Sequence, residues 1–325
     1  MQRDPGCCAV LAIGVGVAVL QAAARQSPDT VEAHVAVAKA AAQQHHSGLF
    51  NELCAEPVPA AGRGGRGGQP AGPPDSSRWH REPYKVFDNL YFLGMDDVGA
   101  WAVTTSDGII ILDALYDYSV KDEIVDGLKK LGLNPATIKY VIVSHGHGDH
   151  SAGAGYLQNE FGARVILSAA DWDLLDRITG NTPKPRRDMI ATDGQKLTLG
   201  DTTITMYLTP GHTPGTISFL IPVKDGGRPH VVAEWGGTAF NSQRTVDYFT
   251  TYAASAARFR GIVEKAGADA VISNHSKYDA AGDKIAALKN RKPGDPHPFV
   301  IGNDAARRYA QVAEECARAG LARLR

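Results

Sequence analysis

Residues 145 to 150 read His145-Gly146-His147-Gly148-Asp149-His150, so four side chains able to bind a metal occupy six consecutive positions. Imidazole and carboxylate together suit zinc among the divalent first-row ions. Two such ions about 3.5–4 Å apart need ligands that converge from one short segment and a few from elsewhere. The intervening glycines let the backbone fold closely around such a centre. The chemistry on offer is hydrolytic. Coordination lowers the pKa of water from 15.7 to about 7, which makes hydroxide available near neutral pH to attack an amide or ester carbonyl.

A solvated, His-rich turn would explain an isolated His-x-His pair, but the flanking residues argue for more. Lys139 to Ser144 is an apolar, β-branched run of strand type ending at the first histidine, and Ser151 to Tyr156 opens a helix. The loop therefore sits at a strand's carboxyl end, where open α/β folds place their sites. Two further histidines share that position. Ile204 to Leu208 alternates and runs into Thr209-Pro210-Gly211-His212-Thr213-Pro214-Gly215, a turn presenting His212. Ala270 to Asn274 is a short apolar strand ending at His275. Three strand ends would then deliver six ligands.

The elements that must position them follow from periodicity. Tyr84 to Leu93, Ala100 to Thr104 and Gly108 to Leu112 are predicted strands, the last ending at Asp113, a candidate hydrogen-bond acceptor for a ligand histidine or else a turn residue. Val120 to Leu131 is predicted as an amphipathic helix. Strands are expected at Arg164 to Leu167, Lys196 to Leu199, Thr202 to Leu208, Thr216 to Pro222 and His230 to Ala233, with helices at Val246 to Lys265 and Asp304 to Leu324. Strands followed by helices in each half suggest two packed sheets with helices outside.

The His-x-His-x-Asp-His loop, the Gly-His-Thr-Pro-Gly turn at His212 and a last strand-end histidine together resemble the metallo-β-lactamase superfamily, from about Trp79 to the C-terminus. The resemblance implies an α/β fold of the four-layer αβ/βα sandwich type and two Zn(2+) ions. The first would be held by His145, His147 and His212, and the second by Asp149, His150 and His275. Many members bridge their metals with an aspartate from a Gly-Asp-Thr segment. Here that segment is Trp235-Gly236-Gly237-Thr238-Ala239-Phe240, with Gly237 or Thr238 in the aspartate's place and no cysteine either. A bridging hydroxide must then join the ions, as in the third subclass of class B β-lactamases, which this ligand set most resembles. Glu234 is the nearest carboxylate, and its facing is open.

The implied function is a zinc-dependent hydrolase that opens the amide of β-lactams, with Asp149 as the catalytic residue that orients the nucleophile and moves a proton. A lactone, thioester or other ester is the alternative substrate class, and a non-catalytic zinc-binding protein is the third reading. Thr238, Asn241 and Lys277 are the candidate substrate-binding residues, with Ser242, Asn274, Ser276 and Tyr278 near them.

At 325 residues, 43% hydrophobic and a net charge of −1, the chain can bury a sizeable core and shows no broad basic surface for nucleic acid. A small-molecule substrate is the expected partner. Residues 1–24 read as a signal peptide: Cys7 to Leu20 is apolar and uncharged, and Ala22 and Ala24 suit cleavage. A periplasmic or secreted protein without stable membrane association is the expectation, an uncleaved anchor being the alternative. Residues 25–56 form an N-terminal helical segment with a helix at Thr30 to Gln44, residues 57–78 a Gly/Pro-rich linker, and residues 79–325 the catalytic domain. Cys54 and Cys316 could pair in an oxidising compartment or remain free and buried. His34, His45, His46, His80, His230 and His297 lack a strand-end context and are expected to be structural or surface residues.

Overall fold

The computed structural model describes residues 1–2, 29–54, 74–179, 183–241 and 244–325. Residues 3–24 of the signal stretch, the linker as far as residue 73, and Ser242 lie outside them.

Twelve strands among these residues form two sheets. The first contains β1 (Tyr84–Lys85), β2 (Leu90–Phe92), β3 (Trp101–Thr105), β4 (Gly108–Leu112), β5 (Ile138–Ile142), β6 (Arg164–Ser168) and β7 (Met189–Ala191), in sequence order across the sheet. Its first half is antiparallel, and β4 to β7 run parallel. The second has the order β12 (Ala270–Ile272), β11 (Arg228–Glu234), β10 (Ile217–Asp225), β9 (Thr202–Leu208), β8 (Gln195–Leu199). Only β11 and β12 are parallel there, so β9, β11 and β12 all point the same way.

Side chains alternate across each strand, and the core follows that alternation. On β4, Ile110 and Leu112 meet Ile204, Met206, Phe219 and Ile221 of the other sheet. Ile109 and Ile111 face outward, onto α3 (Asp126–Lys130), α5 (Ala154–Phe161) and α6 (Ala169–Asp176) through Leu128, Leu157 and Trp172. A strand buried on both faces must be apolar throughout, which explains the unbroken Ile109 to Leu112 run. The outer face of the second sheet packs Trp235 and Val271 against α7 (Val246–Ala266) and α10 (Asn303–Ala322) through Tyr252, Phe259, Tyr309 and Val312. The result is the four-layer αβ/βα sandwich.

Local details depart from the sequence reading. Tyr84 to Leu93 is a hairpin rather than one strand, because the Asp88-Asn89 turn brings both Val86 and Phe87 amides onto the Leu90 carbonyl. The segment at 120–131 begins as a widened π-type turn over Val120–Val125 before α3. Strand β7 and helix α6 were not anticipated; both are too short for periodicity to reveal.

The N-terminal segment is integral to the outer layer. Helix α1 (Val31–Ala42), capped by the Thr30 hydroxyl, and α2 (Ser47–Leu53) bury Ala38 and Leu49 in the same core as α7 and α10. A disulfide joins Cys54, at the end of α2, to Cys316 of α10, closing a separation of 262 residues. The two cysteines are therefore paired. No helix among the described residues is long and apolar enough to cross a membrane.

Candidate metal centre

The strands that carry the chemistry end on one rim. Beyond β5, the Ser144 amide donates to Asp113 Oδ1 (2.6 Å) and its hydroxyl to Asp113 Oδ2 (2.8 Å). The Ser144 carbonyl accepts the Ile217 amide at 2.8 Å, which ties the two sheets together there. The chain then turns through His145 to His147 into α4 (Gly148–Ser151), with Asp149 and His150 in its first turn.

Two groups of three metal-capable side chains result. His145, His147 and His212 form one, and Asp149, His150 and His275 the other; within each, the donor atoms all lie within 4.8 Å of one another. Among the described residues no other cluster of this kind occurs. All six candidate ligands named from the sequence are thus brought together, three to a group.

The hydrogen bonds decide what these rings offer. His145 donates from Nδ1 to the Gly236 carbonyl (2.9 Å), and His212 from Nδ1 to the Ala239 carbonyl (2.6 Å). A neutral imidazole with its proton on Nδ1 has only a lone pair on Nε2. The two Nε2 atoms nevertheless face each other at 3.1 Å, with His147 Nδ1 3.0 Å from His212 Nε2. The second group repeats the arrangement. His150 donates from Nδ1 to Asp113 Oδ2 (2.8 Å) and His275 from Nδ1 to the Asp97 carbonyl (3.2 Å). Their Nε2 atoms meet at 3.2 Å, and Asp149 Oδ2 lies 3.4 and 3.6 Å from them. In the first group, lone pairs converging without a proton between them repel, and a cation relieves that repulsion. Ligand histidines characteristically donate their other nitrogen to a carbonyl or carboxylate in this way.

Charge separates the groups. Burial pushes His145 well below the ordinary imidazole value, His212 down to about 3, and His147 in the same direction, so all three are neutral. At His150 burial also opposes charge, but Asp149 and Asp113 outweigh it and raise the ring to about 10. Burial likewise works against the Asp149 carboxylate, yet His150 and His275 hold it below its ordinary range. The second group therefore calls for positive charge, which a proton supplies when no metal does. Both donor sets fit a divalent ion.

The surroundings explain the lack of a bridging carboxylate. A Cβ added at Gly237 would stand 2.5 Å from His212 Cβ and 2.9 Å from Thr216 Cγ2, so the His212 and Thr216 side chains occupy the space a side chain there would need. Glu234 is buried at the end of β11; burial, with Asp113 and Asp279 nearby, raises its carboxyl well above the usual range, and it belongs to neither group.

The candidate substrate contacts are placed less favourably. Thr238 is buried, with its hydroxyl 3.3 Å from Tyr309 of α10, so it faces the outer layer. Lys277 pairs with Glu52 of α2 at 3.4 Å and lies over the Tyr278 ring, while Tyr278 itself is buried in the outer core. Asn241 does flank the site: its Nδ2 donates to the His212 carbonyl at 2.7 Å. Asn274 donates to Ser144 Oγ and the Gly236 carbonyl beneath the ligands. The remaining histidines bind elsewhere: His34 lies against Glu315, His80 against Glu123 and His230 against Asp269, while His46 is buried on the Ala305 carbonyl and His297 on that of Val86. Sequence reasoning missed Asp171, which accepts hydrogen bonds from both ligand-bearing turns, and the carbonyls of Gly236, Ala239 and Asp97. A carbonyl leaves no side-chain signal.

A two-sheet sandwich with two three-ligand groups on one rim defines a class of metal-binding α/β proteins. Residues 94–226 match the family model of the metallo-β-lactamase superfamily, and the two-sheet sandwich is that family's fold. A subclass B3 metallo-β-lactamase of Bradyrhizobium japonicum, BJP-1, superposes with a TM-score of 0.62 at 26% identity, over 74% of this chain and 93% of that one. Hydroxyacylglutathione hydrolase of Acidiphilium cryptum is 39% identical over 83 residues, 26% of this chain and 30% of that protein. The N-acyl homoserine lactonase AttM of Agrobacterium fabrum is 33% identical over 125 residues, 34% of this chain and 46% of that protein. The chain thus spans less than half the length of these two curated relatives.

Proposed function

We propose that this chain is a binuclear zinc hydrolase whose substrate is a β-lactam or a closely similar cyclic amide. The observation that carries the reading is the convergence of six metal-capable side chains in two groups of three, together with crowding at Gly237 that leaves no room for a bridging carboxylate there. His145, His147 and His212 would hold one ion and Asp149, His150 and His275 the other. When bound, the ions would lower the pKa of water and polarise a carbonyl.

The rest is the work of this chain's own residues. The Gly236, Ala239 and Asp97 carbonyls and the Asp113 carboxylate engage Nδ1 of four rings, so that each Nε2 is the nitrogen turned to its group. Asp149, with a quarter of its side chain exposed, orients the attacking water, takes its proton and returns it to the leaving nitrogen. Asn241 fixes the turn behind His212. An exported location is part of the proposal, and the Cys54–Cys316 bond supports it, since disulfides persist in oxidising compartments.

The second reading, cleavage of a lactone or thioester, is favoured by the likeness to the lactonase and the hydroxyacylglutathione hydrolase. The partly open second group disfavours a purely structural zinc site, which would be closed by four protein ligands. Zinc-loaded protein assayed against a chromogenic cephalosporin, a carbapenem, a lactone and a thioester, with and without chelator, separates these readings. Chelator-sensitive β-lactam turnover is the expected result. Ester cleavage alone would transfer the assignment to the second reading, and chelator-sensitive activity on none of the four would leave a zinc-binding protein.

A further inference from the structure

Behind the first group lies a carboxylate that touches neither the second group nor the solvent. Asp171 is the third residue of α6, and its amide donates to the capping hydroxyl of Ser168 at 3.2 Å. In an ordinary capping box the acidic side chain would turn back to the start of its own helix. This one reaches away. Its Oδ2 accepts the Gly146 amide at 2.8 Å and the Thr213 hydroxyl at 2.7 Å, and its Oδ1 accepts the Gly215 amide at 2.8 Å. Gly146 stands between His145 and His147, and Thr213 follows His212 directly.

We infer that Asp171 is the positioning residue of the first group: one carboxylate that clamps the metal loop and the His212 turn in a common register, so that three imidazoles from two separate strand ends converge on one ion. The inference rests on the metal reading above. Its logic is one of complementarity. Three donors converge on one side chain, and both carboxyl oxygens accept. The turn is shaped to allow the approach, since a side chain at Gly215 would collide with Ser168 Oγ and with Asp171 itself. The turn is stiff internally as well: the Thr213 amide donates to Thr216 Oγ1 at 3.0 Å, and the Gly211 amide to the Thr213 carbonyl at 3.0 Å. The clamp therefore acts on a rigid piece and moves His212 with it. The second group has no such dependence, because His150 is held by Asp113 and His275 by the Asp97 carbonyl.

Asp171→Asn tests this with almost no change in volume. Whichever way the amide is turned, its NH2 confronts either the Gly215 or the Gly146 amide, donor against donor. The measurement is zinc binding to the chelator-stripped full chain by calorimetry, with cobalt absorption spectra as the spectroscopic readout. His212→Ala identifies which event belongs to the first group. The wild type is expected to bind two ions. Asp171→Asn should weaken the first-group event by about 10–100-fold, the range typical when a residue supporting a metal ligand is lost, and should alter only that group's cobalt bands. Asp171→Glu should fail to restore it, because the longer arm displaces the turn. Equal weakening of both events, or of neither, overturns the inference and leaves the metal reading standing. A wild-type chain that binds fewer than two ions overturns both. If Asp171→Asn does not fold, Thr213→Val decides: it removes one arm and keeps the carboxylate. Weakening confined to the first event supports the inference, and unchanged or equally lowered affinities overturn it.

Discussion

The two halves of the candidate centre are built from opposite materials. The first group consists of three neutral imidazoles with His145 and His212 buried, and those two rings donate to main-chain carbonyls. The second mixes a carboxylate with two imidazoles, stays partly open at Asp149 and His275, and leans on the buried charge of Asp113. Neutral ligands leave a divalent ion its full charge, whereas Asp149 and Asp113 offset much of it. The first half is thus suited to polarising a bound carbonyl and the second to handling protons. The asymmetry comes from the neighbours of the ligands as much as from the ligands themselves.

The sharpest way to break that comparison is to remove the one charge that the proposed reaction uses. Asp149→Asn keeps the size of the side chain and an oxygen donor but loses the base. Turnover should fall by roughly 10²–10⁴-fold, the usual contribution of a positioned general base, while zinc content falls by no more than the one ion of the second group. Steady-state kinetics beside elemental analysis checks both. A loss of turnover no larger than the loss of zinc would mean that Asp149 is a ligand and nothing more.

The next effect should fall on the second half alone. Asp113→Asn leaves His150 Nδ1 facing an amide that cannot replace both carboxylate contacts, since Ser144 and His150 are served together. Weakening by about 10–100-fold is expected for the second ion, with a smaller effect on the first, which Asp113 reaches only through Ser144. Set beside Asp171→Asn, it forms a crossed pair: each buried aspartate should control one group. If both variants empty the same group, the two halves are not independently supported.

These two aspartates also mark how far the sequence could be read. Every candidate ligand was legible because a histidine or aspartate after an apolar strand combines two signals, one of side-chain chemistry and one of place. Asp113 carried the same pair of signals and was identified as a candidate acceptor. Asp171 carried neither: Ser168-Ala169-Ala170-Asp171 looks like the start of any capped helix, and its partners lie 25 to 44 positions away. The sandwich was legible from strand periodicity and from the resemblance, but β7 and α6 are too short to show a period. The facing of Thr238 was illegible for a different reason, since it depends on Tyr309 of α10 arriving from the far end of the chain.

A smaller perturbation probes the first half from Gly237, which packs against His212. Gly237→Ala places a methyl group against His212 where the gap is 2.5 Å, tighter than atoms tolerate. Overpacking of this kind costs about 1–3 kcal/mol. A lowered melting temperature together with weaker binding of the first ion is the expected outcome. A variant as stable as the wild type with both ions in place would show that the turn can yield, and the exclusion of a bridging carboxylate would then need another cause.

The smallest effect expected distinguishes scaffold from pocket at Thr238. Its hydroxyl lies against Tyr309 and near the Trp235 carbonyl, both inside the protein. Thr238→Val preserves the shape and deletes the hydroxyl, so the loss should be about 1 kcal/mol of stability, the net worth of a typical hydrogen bond. KM should stay within about twofold, because a group that never meets substrate contributes no uniform binding. Thermal melts and steady-state kinetics on the same preparation give both numbers. A KM raised tenfold with stability unchanged would place Thr238 at the substrate after all, and the turn that carries it would then have to open toward the first group rather than lean on α10.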